Sequence, residues 1–127
     1  MPARVCPCDT GVAYAACCGR WHAGEPAPDA LALMRSRYSA YALGLTDYLL
    51  ATWHPDTRSS AAELEPDDGT RWLRLKILGH GTESPERAWV EFRAAFKQGG
   101  GSARHLHERS LFLKQNGRWF YHSGRFD

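Results

Sequence analysis

The residues best suited to chemistry stand at the front of the chain. They run Cys6-Pro7-Cys8, then eight residues, then Cys17-Cys18, and no other cysteine follows. Thiols at this density attract a soft cation, and four thiolates can close a tetrahedral shell around zinc with sulfur about 2.3 Å from the metal. Pro7 favours an extended turn that lets the sulfurs of Cys6 and Cys8 face one point. Thr10-Gly11 bends the intervening loop and brings up Cys17-Cys18, adjacent as at the start of a helical turn. His22 lies four residues past Cys18, on the same face if that stretch is helical, and is the alternative ligand to one sulfur. Arg4 and Arg20 are placed to offset the negative charge of four thiolates around a divalent ion. A complete thiolate shell leaves no open position for substrate, so the expected site is structural or protein-binding rather than catalytic.

Disulfides, an iron–sulfur cluster and free reactive thiols are the competing readings. The N-terminus has no apolar run of the signal-peptide kind. No stretch reaches the roughly 18 apolar residues of a membrane span. A cytoplasmic location is therefore expected, where thiols stay reduced and favour metal over disulfide. Iron–sulfur ligands follow other spacings. Zinc is the expected cofactor.

A second group of polar residues is Arg104-His105-Leu106-His107-Glu108-Arg109-Ser110. Alternation places His105, His107, Arg109, Leu111 and Leu113 on one face of a strand, with Leu106, Glu108, Ser110 and Phe112 on the other. A histidine beside a carboxylate can act as a general base, so His107 and Glu108 are the catalytic candidates. Arg35, Tyr38, Tyr41, His54, Trp89, Glu91, His107, Glu108 and His122 are the candidates to reach a pocket. The plainer reading is a solvated sheet face with mixed charges. Arg35 and Arg37 read as surface or ion-pair residues, and His80 and His105 as surface residues.

These side chains need elements to hold them. Asp29 is a good N-cap for a helix from Ala30, in which Leu31, Met34, Tyr38, Tyr41 and Leu45 make one apolar stripe up to Gly44. Thr46 is expected to cap a short helix over Asp47–Trp53, stopped by His54-Pro55. Residues 56–70 read as loop with a helical turn around Ser60–Leu64. The period then changes to two. Leu73, Leu75 and Ile77 alternate with Arg74 and Lys76. Ala88, Val90, Phe92, Ala94 and Phe96 share a face opposite Trp89, Glu91, Arg93 and Lys97. Two more runs cover His105–Lys114 and Arg118–Arg125. Asn116-Gly117 is a two-residue hairpin signal, and Gly99-Gly100-Gly101-Ser102 a looser one. Helices followed by an antiparallel meander give an α+β fold, a curved sheet with helices on one face. Glu25-Pro26-Ala27-Pro28 is a stiff linker between a cysteine knob over residues 1–24 and a separate domain over 29–127.

The chain has 127 residues, 16 basic and 14 acidic, and a formal charge of +2. That balance gives no electrostatic footprint for nucleic acid or a membrane surface. Trp53, Trp72, Trp89 and Trp119 read as packing residues rather than a stacking platform for bases.

The string Cys6-Pro-Cys8-Asp-Thr-Gly11, Tyr14 and Cys17-Cys18-Gly19 resembles the SEC-C motif, the zinc tail of the SecA preprotein-translocase ATPase. Leu33-Met34-Arg35-Ser36-Arg37-Tyr38-Ser39-Ala40-Tyr41, Thr52-Trp53-His54-Pro55, Val90-Glu91-Phe92, His107-Glu108-Arg109-Ser110 and Asn116-Gly117-Arg118-Trp119-Phe120-Tyr121 resemble the uncharacterised YchJ-like bacterial family. The resemblance implies a nuclear transport factor 2-like (cystatin-like) cone closed by helices, and brings no established activity. The translocase tail docks on the SecB chaperone and the ribosome, and its loop between the cysteine pairs is rich in lysine. Here that loop is Val12-Ala13-Tyr14-Ala15-Ala16, without charge, so the zinc fold carries over while SecB- or ribosome-type docking loses its basic surface. The resulting expectation is a non-catalytic zinc-binding interaction module. The alternative is a small-molecule binder or cofactor-independent enzyme that uses the cone interior.

Overall fold

The structure is a computed structural model and describes residues 5–8, 10–58 and 70–126. The helical turn expected around Ser60–Leu64 and the charge expected from Arg4 lie outside the described residues.

Among the described residues three α-helices precede the sheet, α1 (Cys18–His22), α2 (Ala30–Leu43) and α3 (Thr46–Ala51), after a 3-10 turn at Tyr14–Ala16. Asp29 caps α2 as expected, its Oδ1 accepting the Ala32 N–H at 2.7 Å. Gly44 ends the helix in the left-handed region at φ 73°, which costs glycine nothing. The cap of α3 differs from expectation. Leu45 is its N-cap and makes no side-chain cap bond, and Thr46 is the first helical residue. The helix is also shorter, because Thr52 is already its C-cap.

Four strands follow in one antiparallel sheet ordered as in the chain: β1 (Thr70–Ser84), β2 (Arg87–Gln98), β3 (Arg104–Gln115) and β4 (Arg118–Phe126). Asn116 and Gly117 both have positive φ, 53° and 79°, as a two-residue hairpin turn requires. Gly99 turns the β2–β3 hairpin at φ 57°. The inner face carries Leu75, Ala88, Val90, Phe92, Ala94 and Phe112, all buried in one cluster with Ala30, Leu33, Met34 and Tyr38 of α2. Burying such a face is the main stabilising contribution of the fold.

Bulges correct the simple alternation. In β1 the pairing steps from Trp72↔Phe96 to Arg74↔Ala95, which leaves Leu73 as the extra residue. Trp72 and Leu75 therefore both face the core side, and Leu73 points to solvent at 44% exposure. A second bulge after Ile77 leaves Leu78 outside in the same way. In β4 the register slips at His122, so Tyr121 pairs with Phe112 and Gly124 with Ser110.

The end of α3 is stitched to β4. His54 N–H donates to the Tyr121 carbonyl at 2.7 Å, and Tyr121 N–H donates to the Thr52 carbonyl at 2.8 Å. The mouth of the cone is thus walled by α2, by the Thr52–His54 segment and by the sheet.

The cysteine knob is packed on the domain rather than standing apart from it. Cys6, Cys8 and Cys18 belong to the same buried cluster as Leu33, Met34 and Tyr38. Arg35, Ser36 and Ser39 on α2 touch the knob, while Met34, Arg37, Tyr38 and Tyr41 lie on the opposite face. One helix is therefore buried on two faces, with small serines where the knob comes closest.

Candidate metal centre and cone pocket

The two cysteine pairs meet. All four sulfurs, of Cys6, Cys8, Cys17 and Cys18, lie within 4.8 Å of one another, with Cys8 and Cys17 3.6 Å apart. None is in a disulfide. Tetrahedral bonds of about 2.3 Å put sulfurs about 3.8 Å apart, so the cluster has the size to enclose a metal ion. A bridge from Val5 to Ala13 and the Cys6 N–H bond to the Val12 carbonyl close the loop between the pairs. Gly19 is required beneath it, since a Cβ there would stand 2.7 Å from the Tyr14 carbonyl oxygen. Hydrogen bonding to Cys18 holds the Cys8 thiol down at about 4 and pushes Cys18 well above the usual thiol range. A cation that displaces the shared protons relieves this competition.

His22 is placed elsewhere. Its Nε2–H donates to the Ser36 carbonyl at 2.8 Å, so Nδ1 accepts from the Tyr14 hydroxyl. Both ring nitrogens are engaged, and the ring sits edge-on to Tyr48 at 4.6 Å. The histidine buttresses the knob against α2 and α3 instead of replacing a sulfur. Arg20 pairs with Glu25 at 3.1 Å, well exposed. Arg35 also reaches the knob, and its Nη1 donates to the Cys8 carbonyl at 3.0 Å.

Beneath the helices the cone holds a cavity of about 320 Å³. Its wall is largely aromatic, with Tyr38, Tyr41, Trp53, Trp72, Phe92, Phe112 and Tyr121. Three of the nine pocket candidates line it: Tyr38, Tyr41 and Glu108. The other six do other work. Arg35 holds the knob. His54 is buried behind the mouth, where Nδ1 accepts the Asp56 N–H and Nε2 has no partner among the described residues. His122 contacts His54 and Ser123. Trp89, Glu91 and His107 occupy the outer face. There His107 bonds Glu91 at 2.7 Å, and the Arg109 guanidinium lies 4.1 Å over Trp89. Strand alternation separates His107 from Glu108, so they cannot form a catalytic pair across one site.

Glu108 is only 7% exposed. Its Oε2 accepts from the Ser110 and Tyr121 hydroxyls, the latter at 3.2 Å. Gly124 makes room for it: a Cβ there would stand 2.9 Å from the Glu108 Cγ and nearer still to the carboxyl. Burial pushes the Glu108 carboxyl above its ordinary value, against the opposing pull of the two hydroxyls and of the Arg37 charge.

Sequence reasoning puts Arg37 on the surface, and the structure does not. It is 5% exposed and lines the cavity. Nη1 donates to the Leu49 carbonyl at 2.8 Å and to Thr52 Oγ1 at 2.7 Å. The guanidinium lies 4.7 Å from the Tyr121 ring and 5.3 Å from that of Trp53. The signal was available: Arg37 stands three residues after Met34 and four before Tyr41, within the apolar stripe itself.

A family model described as YchJ, middle NTF2-like domain, matches residues 29–124. The chain belongs to this family. A UPF0225 protein of Chromobacterium violaceum is 53% identical over 124 residues, covering 94% of this chain and 90% of that protein. Two solved SEC-C motif containing proteins share the architecture. The solution structure of RPA3114 from Rhodopseudomonas palustris has a TM-score of 0.86 at 38% identity and covers 98% of both chains. The crystal structure from Psychrobacter arcticus has a TM-score of 0.82 at 29% identity, covering 94% of this chain and 81% of that one. The expected α+β, NTF2-like class is thereby established. No described helix is long and apolar enough to cross a membrane.

Proposed function

We propose that the protein is a small-molecule-binding domain whose cone is braced by a structural zinc knob of four cysteines. The observation that carries this reading is the cavity itself. It is apolar and aromatic over most of its wall, yet it presents two buried ionisable side chains, Arg37 and Glu108. Ligand sites have this character, an apolar cleft with a few convergent polar groups, and about 320 Å³ is at the small end of their range. A filled core would have placed no charge there, because burying one without a partner is costly. Histidine is absent from the described lining, and the SEC-C knob offers no open metal position, so binding is favoured over catalysis.

Melting the zinc-loaded protein against a library of ring-sized fragments tests this. Some fragments should raise the melting temperature and quench tryptophan fluorescence. Ala94→Leu, which fills the cavity, should abolish both effects. Hits that persist unchanged in that variant would overturn the reading.

A protein-docking role for the knob is the second reading. It is favoured by exposed apolar residues on the knob, Val5 at 59% and Val12 at 44% exposure. A partner of apolar surface is then expected, and SecB- or ribosome-type docking through lysines is not. Val12→Glu should abolish capture of that partner without loss of the metal. Capture that is indifferent to this change would remove the idea.

A further inference from the structure

The cone contains a guanidinium that forms no ion pair among the described residues. Arg37 is 5% exposed, and its hydrogen-bond and ring partners are neutral: the Leu49 carbonyl, the Thr52 hydroxyl, the Tyr41 hydroxyl and the faces of Trp53 and Tyr121. The Glu108 charge is felt only from beyond ion-pair distance. Both short hydrogen bonds leave from one nitrogen, Nη1. Glu108 is the one acid lining the cavity among the described residues, and it forms no ion pair with Arg37 there. Its carboxyl is turned to Ser110 and Tyr121, over the space that Gly124 leaves open. Buried charges in proteins are ordinarily paired, and the planar guanidinium fork suits a carboxylate best.

We propose that the pocket takes a monocarboxylate with a ring-sized apolar body, its carboxylate held by Arg37 and its body against the aromatic wall. This rests on the reading of the cone as a binding pocket and names the ligand's charge. The wall supplies the complement: Tyr38 and Trp72 stand edge-on at 5.8 Å, and Phe92 and Leu106 continue the apolar surface. A dianion or a phosphate ester would bring more charge than one guanidinium can match. An amine would set a second cation beside Arg37.

The test uses matched pairs with the zinc-loaded full chain: phenylacetate against phenylacetamide, and cyclohexanecarboxylate against its amide. Affinities come from calorimetry, and the site from the indole resonances of Trp53 and Trp72. Each carboxylate should bind about tenfold or more tightly than its amide, as charge-assisted bonds imply. Arg37→Gln should erase that preference while amide binding survives. Because Arg37 also ties α3, Arg37→Lys provides a second variant that keeps the cation and a donor towards the Leu49 carbonyl and should retain a carboxylate preference. Loss of the preference in Arg37→Lys as complete as in Arg37→Gln would overturn the proposal. Amides that bind as tightly as carboxylates would overturn the monocarboxylate proposal and leave the pocket reading standing. If neither member of either pair moves the two indole resonances, both readings fail.

Discussion

At the scale of single residues, Glu108 and Gly124 form one unit. Glu108 is buried, and its carboxyl lies above its ordinary value, so between the ordinary value of 4.5 and the raised one the folded state holds the extra proton. A group of that kind favours folding below the unfolded value and disfavours it as pH rises through the folded one. Glu108→Gln keeps an acceptor for Ser110 and Tyr121 and removes the ionisation. Its melting temperature should exceed that of the parent at pH 7–8, and the difference should vanish near pH 4. A constant difference at all pH values would contradict the burial argument. Gly124→Ala pushes a methyl group into the Glu108 side chain and should cost about 1–3 kcal/mol in denaturant unfolding. The sequence places Glu108 among the residues that reach a pocket, but the role of Gly124 was not legible beforehand. Glycine near the end of a strand reads as weak pairing, and only the slip at His122 turns it towards Glu108. Arg37 escapes sequence reasoning for a different reason. An arginine is usually solvated, and although its place in the apolar stripe signalled burial, the acceptors that permit it, in α3 and at its C-cap, lie 12 and 15 residues away.

At the scale of elements, the periodicities foretold most of what was found. Asp29 and Gly44 bound α2 because capping is local chemistry. The Asn116-Gly117 turn was equally plain. Strand faces were legible wherever the alternation runs unbroken, as in β2 and β3. They were lost in β1, where two bulges turn Leu73 and Leu78 outward. Bulges arise from sheet twist and strand pairing, which no local pattern encodes. Replacement of Leu73 or Leu78 by Ser should therefore change stability by no more than about 0.5 kcal/mol, whereas Leu75→Ala should cost about 2–5 kcal/mol. Equal costs at Leu73 and Leu75 in urea unfolding would restore the unbroken register.

For the molecule as a whole, α2 is the shared member. The knob sits on its Ser36 and Ser39 side, and the cavity opens on its Arg37 and Tyr41 side. The Pro-rich linker suggested independence, because a linker shows in sequence and a docking surface made of two serines does not. Metal removal by a chelator, or Cys6→Ser, should then do more than loosen residues 5–24. Amide exchange should rise in α2 around Ser36–Ala40 while the β2–β3 hairpin stays protected. Unchanged exchange in α2 would show the knob to be independent.

The central claim is that an open cone keeps the Arg37 guanidinium and the Glu108 carboxyl buried and unpaired. The most direct measurement is an NMR titration of the Glu108 side-chain carboxyl carbon in the metal-loaded, ligand-free protein. Burial without an ion pair predicts a midpoint above 4.5. A midpoint below 4.5 would mean that the carboxylate is paired with Arg37 across a closed cavity, and would contradict the account.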